Sequence, residues 1–244
     1  SFDIAEVLKL PTNEEDGTCM VKCSGCGELF ERKISKINSD DFIIIPYIES
    51  TGNEDINTKI KANPNISTKI TLDFNENFTE NSAIFGTSYS SGAYLMSIGD
   101  GKLQYYSHNI CAETSIESER GIFTTKTSVL DTKNISIDIG GNQSQGLYSE
   151  DGKNIHLFNL GDKCHSGHFK LYSFEIYESG IAKRSFVPAI NSKTGESGLL
   201  DLVEYNFYGD EKHSGFVLPE GYSSRISKLP TNNLPGTRLI KTPN

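Results

Sequence analysis

Alternation of apolar and polar residues is the dominant pattern of this chain, and a period of two predicts β-strands. Ile70, Leu72 and Phe74 occupy alternate positions of one run, and the same pattern recurs at residues 134–139 and 170–177. Successive side chains of a strand point to opposite faces, so each run has one apolar and one polar face. Strands of this kind are typical of antiparallel sheets with one buried and one solvated side.

Turn dipeptides separate these runs, and no long helical period occurs between residues 42 and 218. The turns are Asp100-Gly101, Gly140-Gly141, Asp151-Gly152 and Ser179-Gly180. Glycine supplies the positive φ that tight hairpins require. We therefore predict an all-β fold, a two-sheet antiparallel jelly-roll sandwich preceded by a small N-terminal β module or arm.

The predicted domains are an arm or attachment module at residues 1–41, the sandwich at 42–219 and a tail at 220–244. Residues 2–10 form either a short helix or an extended arm, and their apolar side chains are suited to an assembly contact. The segment Lys9-Leu10-Pro11-Thr12-Asn13 returns as Lys228-Leu229-Pro230-Thr231-Asn232, each followed after three variable residues by Gly-Thr. Two readings stay open: two similar proline-braced turns, or a flanking module whose two ends bracket the sandwich.

Composition and charge exclude several classes of protein. The chain has 244 residues, a net charge of −9, 13 Phe, 11 Tyr and no Trp. Phosphate binding needs clustered Lys and Arg, so we expect no nucleic-acid partner. No run approaches the roughly 20 apolar residues of a membrane-spanning helix. The start lacks a signal-peptide pattern and the cysteines number 5, so we expect synthesis in a reducing cytoplasm without a disulfide framework.

Several segments of the predicted sandwich carry a resemblance to one family. They are residues 47–52 with 55–60, 147–152, 169–177, 186–189, 198–203, 207–209 and 215–216. Together they resemble the laminin-G-like, concanavalin A-like domains of phage structural proteins and bacterial surface proteins. In such a sandwich we expect the last strands, around Asp201 and Phe216, to return to the sheet that holds Tyr47 and Ile48.

The resemblance implies a non-catalytic virion component: a fibre, decoration or receptor-binding protein that contacts host-surface glycan or neighbouring virion subunits. Its partners would be virion subunits, and we expect a homo-oligomer without membrane insertion, made in the host cytoplasm. The alternatives are a bacterial surface adhesion module and a glycan hydrolase of the same fold. Hydrolases of this fold carry a Glu-x-Asp-x-x-Glu strand, which this chain lacks, and the nearest carboxylate pairs are Asp73 with Glu76 and Glu117 with Glu119. We therefore expect no enzyme activity.

Aromatic and amide side chains between residues 86 and 110 are the candidate glycan site. Aromatic rings pack on the C–H faces of sugars, and amides bind their hydroxyls. The candidates are Tyr89, Tyr94, Gln104, Tyr105, Tyr106, His108 and Asn109. A sandwich also needs aromatic residues in its core, so some of these tyrosines must be buried.

Cys19, Cys23 and Cys26 are the candidate metal ligands, because three thiols lie within eight residues. Zinc prefers four tetrahedral ligands, and a distant cluster at Cys164, His165 and His168 could supply the fourth. Free thiols and a redox or crosslinking role are the other readings. Calcium needs clustered oxygen ligands, for which Asp100, Asp138 and Asp151 are candidates. We expect no obligatory cofactor, with zinc or calcium as the possible ones.

Overall fold

The computed structural model describes residues 2–74, 82–87, 93–99, 101–107, 110–116, 120–131, 134–147, 152–160 and 167–223. Within these residues the regular secondary structure is entirely β-strand, and the sheets are antiparallel. The predicted all-β class is confirmed. In the same ranges no helix has the length and apolar character that crossing a membrane would require.

Nineteen strands are defined in this part of the chain. Residues before the sandwich form β1 (Phe2–Lys9), β2 (Gly17–Cys23) and β3 (Leu29–Ile34). The next strands are β4 (Phe42–Ile44), β5 (Ile48–Glu49), β6 (Ile56–Lys61), β7 (Ile66–Phe74), β8 (Ala83–Gly86), β9 (Ala93–Gly99), β10 (Lys102–Ser107) and β11 (Ile110–Ser115). The remaining strands are β12 (Arg120–Val129), β13 (Asn134–Ile139), β14 (Asn142–Leu147), β15 (Asn154–Leu157), β16 (Phe169–Glu178), β17 (Ile181–Asn191), β18 (Ser197–Asp201) and β19 (Phe207–Gly209).

The described strands form three sheets. A six-stranded sheet has the order β11-β10-β9-β8-β15-β6. A ten-stranded sheet has the order β14-β13-β12-β7-β16-β17-β18-β19, with β4 paired to β17 and β5 paired to β16. The third sheet is β1-β2-β3. Non-consecutive neighbours such as β7 and β16 show that the chain crosses between the sheets rather than meandering through one.

The main core lies between the six-stranded and ten-stranded sheets. It contains Ile70, Leu72, Phe85, Leu103 and Phe174, with contributions from both sheets. The alternating runs seen in the sequence supply these side chains, because their apolar faces turn inward. The described chain is therefore a β-sandwich, in agreement with the sequence pattern.

A second apolar cluster covers the opposite, outer face of the ten-stranded sheet. Val187, Ala189 and Leu200 are buried there together with Ile37, which precedes β4. Leu10, at the end of β1, packs against the same cluster. Because β17 is covered on both faces, its residues are buried from Arg184 through Ile190 without alternation. The three-stranded sheet thus packs on the outside of the ten-stranded sheet.

The two ends of the sandwich meet, as the sequence indicates. Strands β18 and β19 lie in the same sheet as β5, which contains Ile48. Glu49 and Val217 form a backbone bridge, with reciprocal N–H to carbonyl distances of 2.9 Å. The described end of the chain is therefore next to the strand that begins the sandwich, consistent with a domain whose termini lie close together.

Candidate functional site

The outer face of the six-stranded sheet is polar. Along β10 the residues Leu103, Tyr105 and Ser107 are buried, whereas Gln104 and Tyr106 are half-buried and alternate with them. Strand β15 follows the same rule, because Ile155 and Leu157 are buried and His156 lies between them. Alternate residues of a strand face opposite sides, so Gln104, Tyr106 and His156 share the face that points away from the core.

Strand register brings several of these outer positions into one row. Asn57 pairs with His156, and His156 pairs with Gly86 on its other side. Gly86 pairs with Tyr94, and Tyr94 pairs with Tyr106. Neighbouring strands lie about 4.8 Å apart, so His156 and Tyr106, three strands apart, are separated by roughly 14 Å across the sheet. Gly86 adds no side chain between them.

An apolar contact borders this row. Ala83 and Leu160 are buried against each other, and Tyr106 packs against both. Gly167 passes so close to β8 that a Cβ would lie 1.9 Å from the carbonyl oxygen of Ala83. The outer face therefore combines a half-buried aromatic ring on an apolar base with amide and imidazole groups, here called the polar row (Asn57, His156, Gln104 and Tyr106).

The candidate glycan residues have different locations. Gln104 and Tyr106 are in the polar row, and Tyr94 occupies the β9 position opposite Tyr106. Tyr105 lies in the core, where its hydroxyl is 2.9 Å from Oγ1 of Thr127 and burial raises its pKa. It is therefore inaccessible to a ligand on the outer face. The candidates Tyr89, His108 and Asn109 lie outside the described residues.

A cluster of titratable groups lies at the β6 end of the same sheet. Nδ1 of His156 is 2.6 Å from Oδ1 of Asp55. Ligand atoms of Asp55, His156 and Glu211 all lie within 4.8 Å of one another. Glu211 also pairs with Lys59, whose Nζ is 2.7 Å from Oε1. These residues come from three distant parts of the chain and meet where β6 approaches the segment after β19.

Asp210 accepts hydrogen bonds from both chain segments that meet at this cluster. Its Oδ1 accepts the N–H of Asp55 at 2.8 Å, and its Oδ2 accepts the N–H of Ser214 at 2.6 Å and the hydroxyl of Ser214 at 2.8 Å. Burial alone would raise the pKa of Asp210. The hydrogen bonds from Asp55, Ser214 and the N–H of Lys212 outweigh burial and lower the pKa below its ordinary value.

The cluster offers one imidazole nitrogen and two carboxylates, a ligand set that zinc accepts in three-residue sites. Calcium and magnesium prefer oxygen ligands alone, so the histidine favours a transition metal. In the present geometry, however, Asp55 is hydrogen bonded to His156 and Glu211 to Lys59. A bound metal would have to replace the Lys59 contact. The residues are sufficient for a metal site, and their arrangement is that of a hydrogen-bonded ion-pair network.

The three cysteines that are candidate zinc ligands have unlike environments. Cys19 is buried among Val7 and Val21, and burial raises its pKa, partly offset by Arg32. Cys23 is the last residue of β2, where hydrogen bonds from Cys26 lower its pKa. Among the described residues these thiols form no group with metal-ligand spacing, whereas Asp55, His156 and Glu211 do. Cys164 and His165 lie outside the described part.

His168, the other member of that distant cluster, packs on a glycine turn instead. A Cβ at Gly52 would lie 2.2 Å from Nε2 of His168, and Gly52 has a φ of +88°. The turn is closed by the buried Glu54, whose carboxylate accepts the Ser50 hydroxyl at 2.7 Å and the N–H of Thr51 at 2.8 Å. The Glu54 carboxylate therefore closes the loop locally, and His168 packs against it from a distant part of the chain.

The remaining carboxylate candidates are structural in the described residues. Asp138 lies in β13 and accepts the N–H of Gly141 at 3.1 Å in the hairpin turn. Asp73 is in β7, where it accepts the hydroxyl of Tyr172. Asp100, Asp151, Glu76, Glu117 and Glu119 lie outside the described residues.

A His–Asp pair resembles the orienting half of a nucleophilic triad. In the part of the chain that the structure describes, the hydrogen bond given for the His156 ring is the one to Asp55.

Comparison with known proteins adds no family to this description. No protein-family model matches the chain, and a search of the curated proteins finds no match.

Proposed function

We propose that this chain is a non-catalytic saccharide-binding module, and that the polar row on the six-stranded sheet is its binding surface. The observation that carries the proposal is the alignment of Asn57, His156 and Tyr106 on strands of one sheet at one register level. An aromatic ring with an apolar base suits the C–H face of a sugar. Amide and imidazole groups suit its hydroxyls.

The shape of the row supports an extended ligand. The distance of roughly 14 Å between His156 and Tyr106 suits an oligosaccharide better than a single sugar. The opposite outer surface, on the ten-stranded sheet, is covered over β17 by Leu10, Ile37 and Phe42. The two outer faces therefore differ, and the polar row is on the one that the three-stranded sheet leaves open.

We propose more specifically that the chain is a component of a phage virion, as a fibre, decoration or receptor-binding protein. It is supported by the resemblance of residues 46–216 to domains of such proteins. In this assignment the polar row contacts host glycan, and other surfaces contact virion subunits in a homo-oligomer. Light scattering after size-exclusion chromatography tests the oligomer, and a monomer at all concentrations would favour a detachable adhesion module.

Binding is tested by applying the labelled full chain to a glycan array and measuring the Kd of the best saccharide by calorimetry. Tyr106→Ala removes the ring and should weaken binding about tenfold or more, as loss of a buried aromatic contact does. Gln145→Ala, an exposed residue of β14 in the other sheet, is the matched control and should leave Kd unchanged.

Tyr105→Phe is a second control. It removes the core hydrogen bond between Tyr105 and Thr127, next to Tyr106 in the sequence, without changing the outer face of the sheet. Equal effects of Tyr106→Ala and Gln145→Ala, or no saccharide bound at all, would contradict the proposal. Release of sugar fragments from the bound saccharide would contradict its non-catalytic part.

A further inference from the structure

The first copy of the repeated motif shows what the motif builds. Oγ1 of Thr12 accepts the N–H of Glu14 at 3.1 Å and the N–H of Glu15 at 3.0 Å. The N–H of Thr12 donates to the carbonyl of Glu15 at 2.9 Å. A Cβ at Gly17 would lie 2.4 Å from the carbonyl oxygen of Lys9, so this position needs glycine. All of these contacts lie within the motif, which therefore encodes its own turn.

Two residues of the turn reach outward instead. Nδ2 of Asn13 donates to the carbonyls of Ile37 at 3.1 Å and Phe42 at 2.8 Å, and Oδ1 accepts the N–H of Ile44 at 2.7 Å. Leu10 packs against buried apolar side chains of both the three-stranded sheet and the ten-stranded sheet. In the first copy, Leu10 and Asn13 thus anchor the turn to an apolar cluster and to the backbone around β4.

The second copy, at residues 228–237, has Leu, Pro, Thr, Asn and Gly at the same spacing. It lies outside the described residues, and we expect it to form the same turn. Its Leu229 and Asn232 correspond to Leu10 and Asn13, the two residues that contact a neighbouring surface in the first copy. The two copies differ in charge at the three variable positions, because the acidic residues 14–16 are replaced by the uncharged Asn233, Leu234 and Pro235.

A cleft of about 440 Å³ beside the first copy offers a largely apolar surface. Its walls are the first copy of the motif, the segment around β4, one residue of β17 and the described end of the chain. The lining residues are Thr12, Asn13, Glu14, Ile43, Ile44, Ile45, Pro46, Ile190, Gly221, Tyr222 and Ser223. The floor is apolar, and Glu14 places a carboxylate on the wall.

The length of chain after Ser223 and the charge of residues 224–244 both favour this C-terminal segment as the occupant of the cleft. Ser223 is on the wall of the cleft, and five residues lie between it and Leu229, so the two are at most about 20 Å apart. A tether this short gives a high effective concentration. Residues 224–244 contain four basic and no acidic residues, in a chain whose net charge is −9. The segment therefore complements the acidic turn beside the cleft.

We propose that the second copy of the motif docks in this cleft of its own chain. Leu229 rests on the isoleucines of the floor, and the basic residues of the segment lie toward Glu14 and its acidic neighbours. The docked segment links the end of the sandwich to the three-stranded sheet that precedes it. This proposal does not depend on saccharide binding.

The test is hydrogen–deuterium exchange with mass spectrometry on the full chain. In the wild type, amides of residues 229–237 should exchange about tenfold more slowly than an unstructured peptide of the same sequence. Leu229→Asp and Asn232→Ala should each remove that protection and speed exchange in peptides covering residues 43–46. Thr242→Ala, outside the motif in the same segment, is the matched control and should change neither.

These substitutions lie after Ser223, so an unchanged far-UV circular dichroism spectrum verifies that the sandwich is intact. The measurement is repeated over a hundredfold range of protein concentration. Protection that is independent of concentration supports docking within one chain. Protection that rises with concentration would show that a second copy fills the cleft and would overturn the proposal, as would unprotected amides in the wild type or protection that survives both substitutions.

Discussion

Arg184 is the buried cation that joins the two sheets of the sandwich, and Arg184→Met removes it with little change in volume. Its Nε donates to the carbonyl of Thr58 in β6 at 3.2 Å. Its Nη1 is 2.7 Å from Oε1 of Glu204 and 3.6 Å from Oδ2 of the fully buried Asp201. The guanidinium also lies 5.6 Å from the ring centre of Tyr208.

The stability lost in Arg184→Met depends on the environment of each group that loses its contact with the guanidinium. Glu204 is about half exposed, so its ion pair contributes little. Asp201 is left as an uncompensated buried charge, and removing one partner of a buried pair typically costs about 3–5 kcal/mol. The backbone N–H groups of Ser185 and Val203, at 2.9 and 3.0 Å, remain to Asp201, so we expect a loss near the lower end of that range.

The stability lost in Arg184→Met should depend on pH, because Asp201 is titratable. Burial raises the pKa of Asp201 above its ordinary value, although the backbone hydrogen bonds and Arg184 oppose this effect. A carboxyl whose folded pKa is raised favours the protonated folded state, so it destabilises the fold as pH rises through the acid range. Without Arg184 the pKa rises further. The loss caused by Arg184→Met should therefore grow from acidic to neutral pH.

Urea denaturation followed by circular dichroism measures this loss at pH 7 and at an acidic pH where the wild type still folds. Arg184→Met with Asp201→Asn is the control, because it leaves no unpaired buried charge and should recover much of the lost stability. A loss below about 1 kcal/mol at neutral pH, the same loss at both pH values, or no recovery in the double variant would refute the reasoning.

Three further perturbations test other parts of the structure. Gly52→Ala should destabilise by at least about 1–3 kcal/mol, measured by thermal denaturation, since the position has positive φ and no space beside His168; an unchanged Tm would contradict that turn. With a thiol reagent at neutral pH, Cys23 should react well before the buried Cys19; protection of both that a chelator relieves would instead indicate bound zinc. Asp210→Asn should destabilise by about 1–3 kcal/mol above pH 4, and the difference should shrink as pH falls through the lowered pKa of Asp210; a pH-independent difference in urea denaturation would contradict its charged role.

The sequence was ambiguous at residues 2–10, and the structure shows the reason. The segment is strand β1, but its pairing with β2 has register shifts between Ile4 and Glu6 and between Val7 and Lys9. Each shift interrupts the regular alternation of the pairing, and Val7, which is buried, and Leu8, which is exposed, are consecutive apolar residues of this strand. A broken alternation of this length looks like one turn of an amphipathic helix, which explains why both forms were compatible with the pattern.

The local sequence pattern was sufficient to predict those elements whose structure depends on a few consecutive residues. The alternation at residues 134–139 predicts a half-buried strand, and Ile135, Ile137 and Ile139 are buried in the core. The Gly140-Gly141 turn follows, with φ values of +56° and +90°. Period-two burial and glycine turns depend on the backbone of a few consecutive residues, so they are visible in the sequence.

Tertiary structure alone decided which side chains meet. Asp55, His156 and Glu211 are separated by about a hundred and about fifty residues along the chain, and strand pairing brings them within 4.8 Å. The same pairing put Tyr105 in the core and Tyr106 in the polar row, although the two residues are adjacent. Alternation shows that their faces differ, but which face is buried depends on the sheet that packs against them. That choice is made by contacts between distant strands, which no local pattern of residues contains.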